Sequence, residues 1–308
     1  MENKLDGKLV DRWKKRMSIM DDSEKQAIFD AVIQSDIPED RETNDGVAFL
    51  ADYSDTIEHE FKSWGKPRGL LTGFKSLDAR IMGMNKGDYI LIAGETNNGK
   101  SAVAMNIIYQ VGKTQEVLYI TLEMLIPQLG ARLRHMHGGP IDDLKIAVQT
   151  EHRINYKDLK PIIKNAVEGL DVKLVVLDYL QYLGRGMKIE EVAIISKEIK
   201  TLALEFEIPI IVIVSLRKNS AGAQRPWTSL TVDDISGTGS TGYDADTILL
   251  VSRKDLDNNF DAEHVWMRML KARNCALDPE PFKMIWDKTK ISDDNNDWIP
   301  ANGEIKSL

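Results

Sequence analysis

Gly94-Glu95-Thr96-Asn97-Asn98-Gly99-Lys100-Ser101 fits the pattern G-x-x-x-x-G-K-[S/T] without a gap. Glycines at both ends let a backbone curl around an anion with its N–H groups pointing inward. Lys100 is then placed to neutralise β- and γ-phosphate oxygens, and Ser101 to set its hydroxyl on magnesium. The preceding run, Tyr89–Ala93, reads as a strand, and Ala102 to Tyr109 reads as a helix whose positive end meets the anion. A chance glycine-rich turn would need neither flank. The octapeptide therefore predicts a nucleotide-phosphate site, with Gly94, Glu95, Thr96, Asn97, Asn98, Gly99, Lys100 and Ser101 as its binding residues.

The strand-then-helix pattern continues on from this loop. Short apolar runs recur at Val117–Thr121, Leu174–Leu177, Ile210–Val214 and Thr247–Val251, most of them separated by polar or amphipathic helical stretches. Continuous apolar strands with helical crossovers predict a mainly parallel sheet covered on both faces. Two later runs, Val265–Leu270 and Phe282–Trp286, read as a closing hairpin at the sheet edge. Leu174-Val175-Val176-Leu177-Asp178 is an apolar strand ending in a carboxylate. Many strands end in Asp as a turn former, but after a phosphate loop such an aspartate holds magnesium through its water shell. Glu123 follows the Val117–Thr121 strand. A carboxylate there can poise water for attack on a γ-phosphate. It can equally be a first-turn helix residue favoured by the helix dipole, and spacing alone leaves both open.

The 308 residues suffice for one large α/β domain plus an appendage, and 43% hydrophobic content fills a sizeable core. No apolar run approaches a membrane span; the longest, Ile208 to Val214, is strand-sized. The opening MENKLDGKLV lacks the apolar core of a secretion signal. A single cysteine, Cys275, excludes an internal disulfide framework and a zinc site of several thiolates. These features predict a cytoplasmic protein with no membrane partner. The net charge of −8 argues against nucleic acid on its face, but it is unevenly placed. Residues 1–66 carry 10 basic and 16 acidic side chains, whereas 67–308 carry 30 and 32. A nearly neutral larger part can still line a pore or groove with positive charge.

Residues 9–34 read as helix through Val10, Trp13, Met17, Ile28 and Val32, with a break at Asp21-Asp22-Ser23 that can cap a second helix. Residues 35–46 are acidic and turn-rich, as a linker is. Residues 47–64 read as an amphipathic helix through Val47, Leu50, Ile57 and Phe61, ended by Gly65-Lys66-Pro67.

Further motifs fall in a set order around the loop. Gly73-Phe74-Lys75-Ser76-Leu77-Asp78 and Gly87-Asp88 precede it; Leu122-Glu123-Met124, Leu177-Asp178-Tyr179-Leu180-Gln181, Asp234-Ile235-Ser236-Gly237-Thr238-Gly239-Ser240, Asp244-Ala245-Asp246 and Lys271-Ala272-Arg273-Asn274 follow. Together they resemble the motor domain of DnaB-family replicative helicases over about residues 47–290. The resemblance implies a RecA-like P-loop NTPase fold, a mainly parallel central sheet flanked by helices, to which this chain adds a small helical N-terminal extension. Residues 1–46 read as a helical extension and acidic linker, while the resemblance implies a linker helix over 47–66 packing on a neighbouring subunit and the motor over 67–308. It implies an ATP- and Mg2+-dependent helicase that assembles as a homo-hexameric ring on single-stranded DNA, with a primase or a helicase loader as partner. Glu123 becomes the catalytic base, and Lys271 and Arg273 become residues that act on the ATP of the adjacent subunit.

Departures from the family pattern matter as well. Leu216, in Ser215-Leu216-Arg217-Lys218-Asn219, stands where the family has a glutamine that senses the γ-phosphate. Ser236 replaces an arginine of the second DNA-binding loop, and residues 1–46 offer no counterpart of the family's large N-terminal domain. Two stretches are read as DNA-facing: Leu183 to Lys188, with Arg185 and Lys188, and the small-residue run 236–242, with Ser236, Gly237, Thr238, Gly239 and Ser240. Small residues let backbone N–H groups approach phosphates without reading bases; from residues alone these are mobile surface loops. Arg217, Lys218 and Arg225 add positive charge nearby. A RecA- or KaiC-like ATPase without unwinding activity, or an accessory factor that retains nucleotide binding, is the competing expectation.

Overall fold

The computed structural model describes Ile57 and residues 68–294, except 150, 152–153, 179, 184–188, 217–224, 236–238, 276 and 288–289. In chain order its elements are α1 (Lys75–Ile81), β1 (Tyr89–Gly94), α2 (Lys100–Gly112), β2 (Val117–Thr121), α3 (Ile126–His137) and β3 (Ile146–Val148). There follow α4 (Leu159–Leu170), β4 (Leu174–Asp178), α5 (Leu180–Leu183), α6 (Ile189–Glu205), β5 (Ile210–Ser215) and α7 (Gly239–Asp244). β6 (Thr247–Ser252), β7 (His264–Ala272), β8 (Phe282–Asp287) and β9 (Lys290–Asp293) close the chain of elements. The predicted helices over 9–34 and 47–64 lie outside the described residues, apart from Ile57, which is helical and exposed.

The strands form one sheet in the order β3-β2-β4-β5-β1-β6-β7-β8-β9. β3 through β6 pair in parallel and β6 through β9 antiparallel. The central parallel strands are apolar except at their ends because both of their faces are covered. Ile90, Ile92, Tyr119, Val176, Ile211 and Leu249 point to the side held by α1, α2 and α3. Leu91, Leu118, Val175, Val212 and Leu250 point to the side held by α4, α5 and α6. Each large apolar side chain contributes roughly 1.5–3 kcal/mol on full burial. A one-residue slip would turn each side chain to the opposite face of the sheet, so the register is strongly specified.

The expected hairpin is present but is not the edge: β9 pairs with Met284 to Asp287 of β8 and takes that place. Its sequence, Lys-Ile-Ser-Asp, buries only Ile291 and so carries little periodic signal. β3 at the opposite edge was likewise not expected; it has three residues, all half-buried. β9 also ties the sheet to the helices. The Ile291 N–H donates to Asn106 Oδ1 of α2 at 3.0 Å, and Asp293 accepts the Lys75 and Ser76 N–H groups at 3.0 and 2.9 Å. Asp293 thereby satisfies amides at the start of α1, whose own cap residue, Phe74, supplies no side-chain acceptor.

Candidate functional site

The octapeptide begins at the C-terminal end of β1 and runs into α2. Gly99 has φ +89 and Asn97 φ 63, so the loop turns through left-handed conformations that glycine and asparagine tolerate. A Cβ at Gly94 would lie 2.5 Å from the Val251 carbonyl oxygen, so no side chain fits where β1 meets β6. The loop is braced from outside. Asn98 Oδ1 accepts the Arg253 N–H at 2.9 Å, and Lys254 Nζ meets Glu95 Oε2 at 3.0 Å. Lys100 Nζ folds back to donate to the Glu95 carbonyl at 2.8 Å. Burial pushes the Lys100 ammonium below its ordinary pKa, opposed by the charges of Asp178, Glu123 and Glu95.

A cleft of about 1000 Å³ opens over the loop, lined by Thr96, Lys100, Ser101, Glu123, Asp178 and Ser215 among others. These residues come from the C-terminal ends of β2, β4 and β5 and from the loop after β1, the edge where open α/β sheets bind ligands. Asp178 is buried, and its Oδ2 accepts the Tyr119 hydroxyl at 2.7 Å. Burial pushes its carboxyl up, while hydrogen bonding from Tyr119 and Ser101 and the charge of Lys100 pull it down. Ser101 lies close enough to favour the ionised form, yet Oδ1 stays without a hydrogen bond of good geometry. A buried, unpartnered carboxylate oxygen beside a serine hydroxyl is the oxygen donor set a hard cation takes, so these residues fit magnesium. Among the described residues no group of three or more His, Cys, Asp or Glu side chains could hold a metal. A cation here would rely on phosphate and water for its remaining ligands.

Glu123 is exposed just past β2 and faces the same cleft, its N–H donating to Thr121 Oγ1 at 3.3 Å. Sequence reading missed the polar stripe on α3 that lines this cleft: Gln128, Arg132 and His135. Their i, i+4, i+7 spacing was the available signal. It also missed Trp286, whose ring would meet a Cβ at Gly99 at 3.1 Å, and Arg253, whose guanidinium stacks on that ring at 4.0 Å.

Lys271 and Arg273 lie elsewhere. β7 runs antiparallel to β6, so its C-terminal end sits at the N-terminal end of the parallel strands. The Arg273 N–H donates to the Asp246 carbonyl at 2.9 Å, and the Asp246 N–H to that of Tyr89 at 2.8 Å, where β1 begins. The length of β1, roughly 17 Å at 3.3 Å per residue, separates this end from the phosphate loop. The buried Asp246 carboxylate gathers Arg273 Nη1 at 2.7 Å, Lys200 Nζ at 2.6 Å and the Tyr89 N–H at 2.8 Å. Lys271 Nζ donates to the carbonyls of Gly242 and Tyr243, at 3.2 and 2.6 Å, closing the end of α7.

That helix revises one expectation. Gly239 and Ser240, read as part of a small-residue loop, are the first residues of α7. Arg185, Lys188, Ser236, Gly237 and Thr238 lie outside the described residues, as do Arg217 and Lys218. Arg225 pairs with Asp234, so its charge is compensated within the chain. Leu216 bridges to Ile235 and packs against the apolar core beneath, while its neighbour Ser215 lines the cleft.

A central parallel sheet with a phosphate loop after its middle strand and an aspartate at the end of β4 defines a RecA-like P-loop fold. The model of the DnaB-like helicase C-terminal domain matches residues 69–139 and 135–292, and the chain belongs to that family. A probable replicative DNA helicase of Trieres chinensis is 31% identical over 284 residues, covering 77% of this chain and 60% of that protein. The replicative helicase DnaB of Geobacillus stearothermophilus is 30% identical over 243 residues, covering 68% and 52%. The chain thus spans about half the length of the curated relatives it matches. Among solved structures, an ATPase domain superposes with a TM-score of 0.70 at 18% identity, over 80% of this chain and 99% of that one. A DnaB-like replicative helicase studied with primase gives 0.67 at 19% identity, over 92% and 77%. A KaiC-like protein of Pyrococcus horikoshii gives 0.58 at 17%, over 73% and 98%. At these identities the superpositions speak for the fold alone. Among the described residues no helix is long and apolar enough to cross a membrane.

Proposed function

We propose that this chain is the motor of a replicative DNA helicase, hydrolysing ATP to move along single-stranded DNA and part duplex at a fork. The observation that carries the reading is the meeting of Lys100, Ser101, Asp178 and Glu123 in one cleft. The loop amides and Lys100 hold the phosphates, while Glu123 orients a water and takes its proton as it attacks the γ-phosphorus, the bond to the β–γ bridging oxygen breaking and ADP leaving with the electron pair. Ser101 and Asp178 hold magnesium, which when bound neutralises charge on the β- and γ-phosphates. Arg273, with Lys271 beside it, serves the γ-phosphate of an adjacent subunit, because it lies a sheet-length from its own. That arrangement supports a head-to-tail assembly, which we take to be a hexameric ring. We take Arg185 and Lys188, with Ser236, Gly237, Thr238, Gly239 and Ser240, to be the residues that hold the strand's backbone without reading sequence. The replicative setting suggests the cytoplasm, and a primase or a loader as the partner protein.

The test measures ATP turnover with and without single-stranded oligonucleotide, then strand separation on a forked duplex. We expect oligonucleotide to raise turnover and forks to be opened only with ATP. A second reading, a KaiC-like ATPase assembly without unwinding, is favoured by one feature: a half-buried Leu216 packs against the core where a polar sensor is expected. Turnover indifferent to DNA, with forks left intact, would establish it instead.

A further inference from the structure

We infer that Tyr119 is a positioning residue for the metal site: its hydroxyl holds one oxygen of Asp178 so that the other is presented to magnesium. The inference rests on the reading that Asp178 holds magnesium. Tyr119 lies on β2 opposite Val176 of β4, and its side chain is fully buried among the apolar residues that α2 and α3 cover. Packing alone would be served by a phenylalanine. A buried hydroxyl needs a partner, and this one donates to Asp178 Oδ2 at 2.7 Å. Oδ2 is therefore engaged from behind, whereas Oδ1, equally buried, makes no hydrogen bond of good geometry. The two oxygens of one carboxylate are thus divided between a support and an open coordination position.

Magnesium demands near-octahedral geometry at short metal–oxygen distances, so a carboxylate free to rotate makes a poorer ligand or water-shell acceptor. Hydrogen bonds that orient such a carboxylate typically carry about 10–100-fold in metal affinity or activity. Lys100 and Glu123 lie close enough to influence the Asp178 charge, and an unsupported carboxylate could be drawn out of line by the one and pushed by the other. Tyr119 supplies a neutral donor that fixes direction without adding charge to the cleft.

The test titrates Mg2+ against the binding of a fluorescent ADP, with a parallel titration in EDTA. It compares the full chain with Tyr119→Phe, Asp178→Asn and Tyr89→Phe. Tyr89 is equally buried, but on the opposite face of the sheet, where its hydroxyl meets Ser196 at 3.4 Å. For Tyr119→Phe we expect half-saturating Mg2+ to rise by about 10–100-fold, with ADP affinity in EDTA unchanged. Tyr89→Phe should titrate like the unaltered chain. The inference is overturned if Asp178→Asn weakens the metal response and Tyr119→Phe does not. It is also overturned if Tyr89→Phe shifts the response as far, or if affinity in EDTA falls in step, since general loosening of the core would then be the cause. Should Asp178→Asn itself titrate normally, the metal reading fails and takes the inference with it.

Discussion

Lys100 and Glu123 share one cleft yet should fail differently. Lys100→Ala removes a charge that positions the phosphates, and phosphoryl transfer depends mainly on positioning and charge stabilisation, so hydrolysis should disappear. Glu123→Gln keeps shape and removes the proton acceptor. Nucleotide affinity should stay within a few-fold while phosphate release falls by about 10²–10⁴. Turnover within a few-fold of normal would leave Glu123 as a residue of the bend between β2 and α3, with no part in the chemistry. The loop was legible from sequence because backbone turn, cation and hydroxyl must follow one another at fixed spacing, and Asp178 because it ends an apolar strand that follows such a loop. Gln128, Arg132 and His135 were not, because sequence gives the face of a helix but not what that face looks at. Leu216 was legible only as an anomaly; its packing beside Ile235 supplies the physical reason for an apolar side chain there.

At the scale of elements, all the described strands except β3 and β9 could be read from their apolar runs, each buried on one or both faces. β3 and β9 could not, since three or four residues with one or no buried side chain give no period to detect. The amphipathic stretch 47–64, with Val47, Leu50, Ile57 and Phe61, is proposed to dock in a groove of a neighbouring subunit. Removal of residues 1–64 should then abolish nucleotide-dependent hexamers in sedimentation velocity, while the motor keeps its thermal unfolding transition. Hexamers that persist after this deletion would show that the helix covers its own domain instead.

For the whole molecule, the phosphate loop and Arg273 mark opposite ends of the sheet. A complete site would need two copies, and an arginine supplied in trans can carry on the order of 10³ or more in rate. Arg273→Ala should therefore lose turnover, by about 10³-fold or more. Mixing it with Lys100→Ala subunits should restore part of that turnover, because some interfaces then join an intact loop to an intact arginine. Full activity of Arg273→Ala alone would refute the shared site. The bond from Asp293 back to Lys75 and Ser76 has a consequence for biogenesis. These contacts span 217 and 218 residues, so a ribosome adding roughly 5–20 residues per second takes about 10–40 s between the two ends. Throughout that interval α1 and α2 exist without the edge strand that caps one and anchors the other. Until β9 emerges, the nascent domain should therefore present β8 as an unpaired sheet edge.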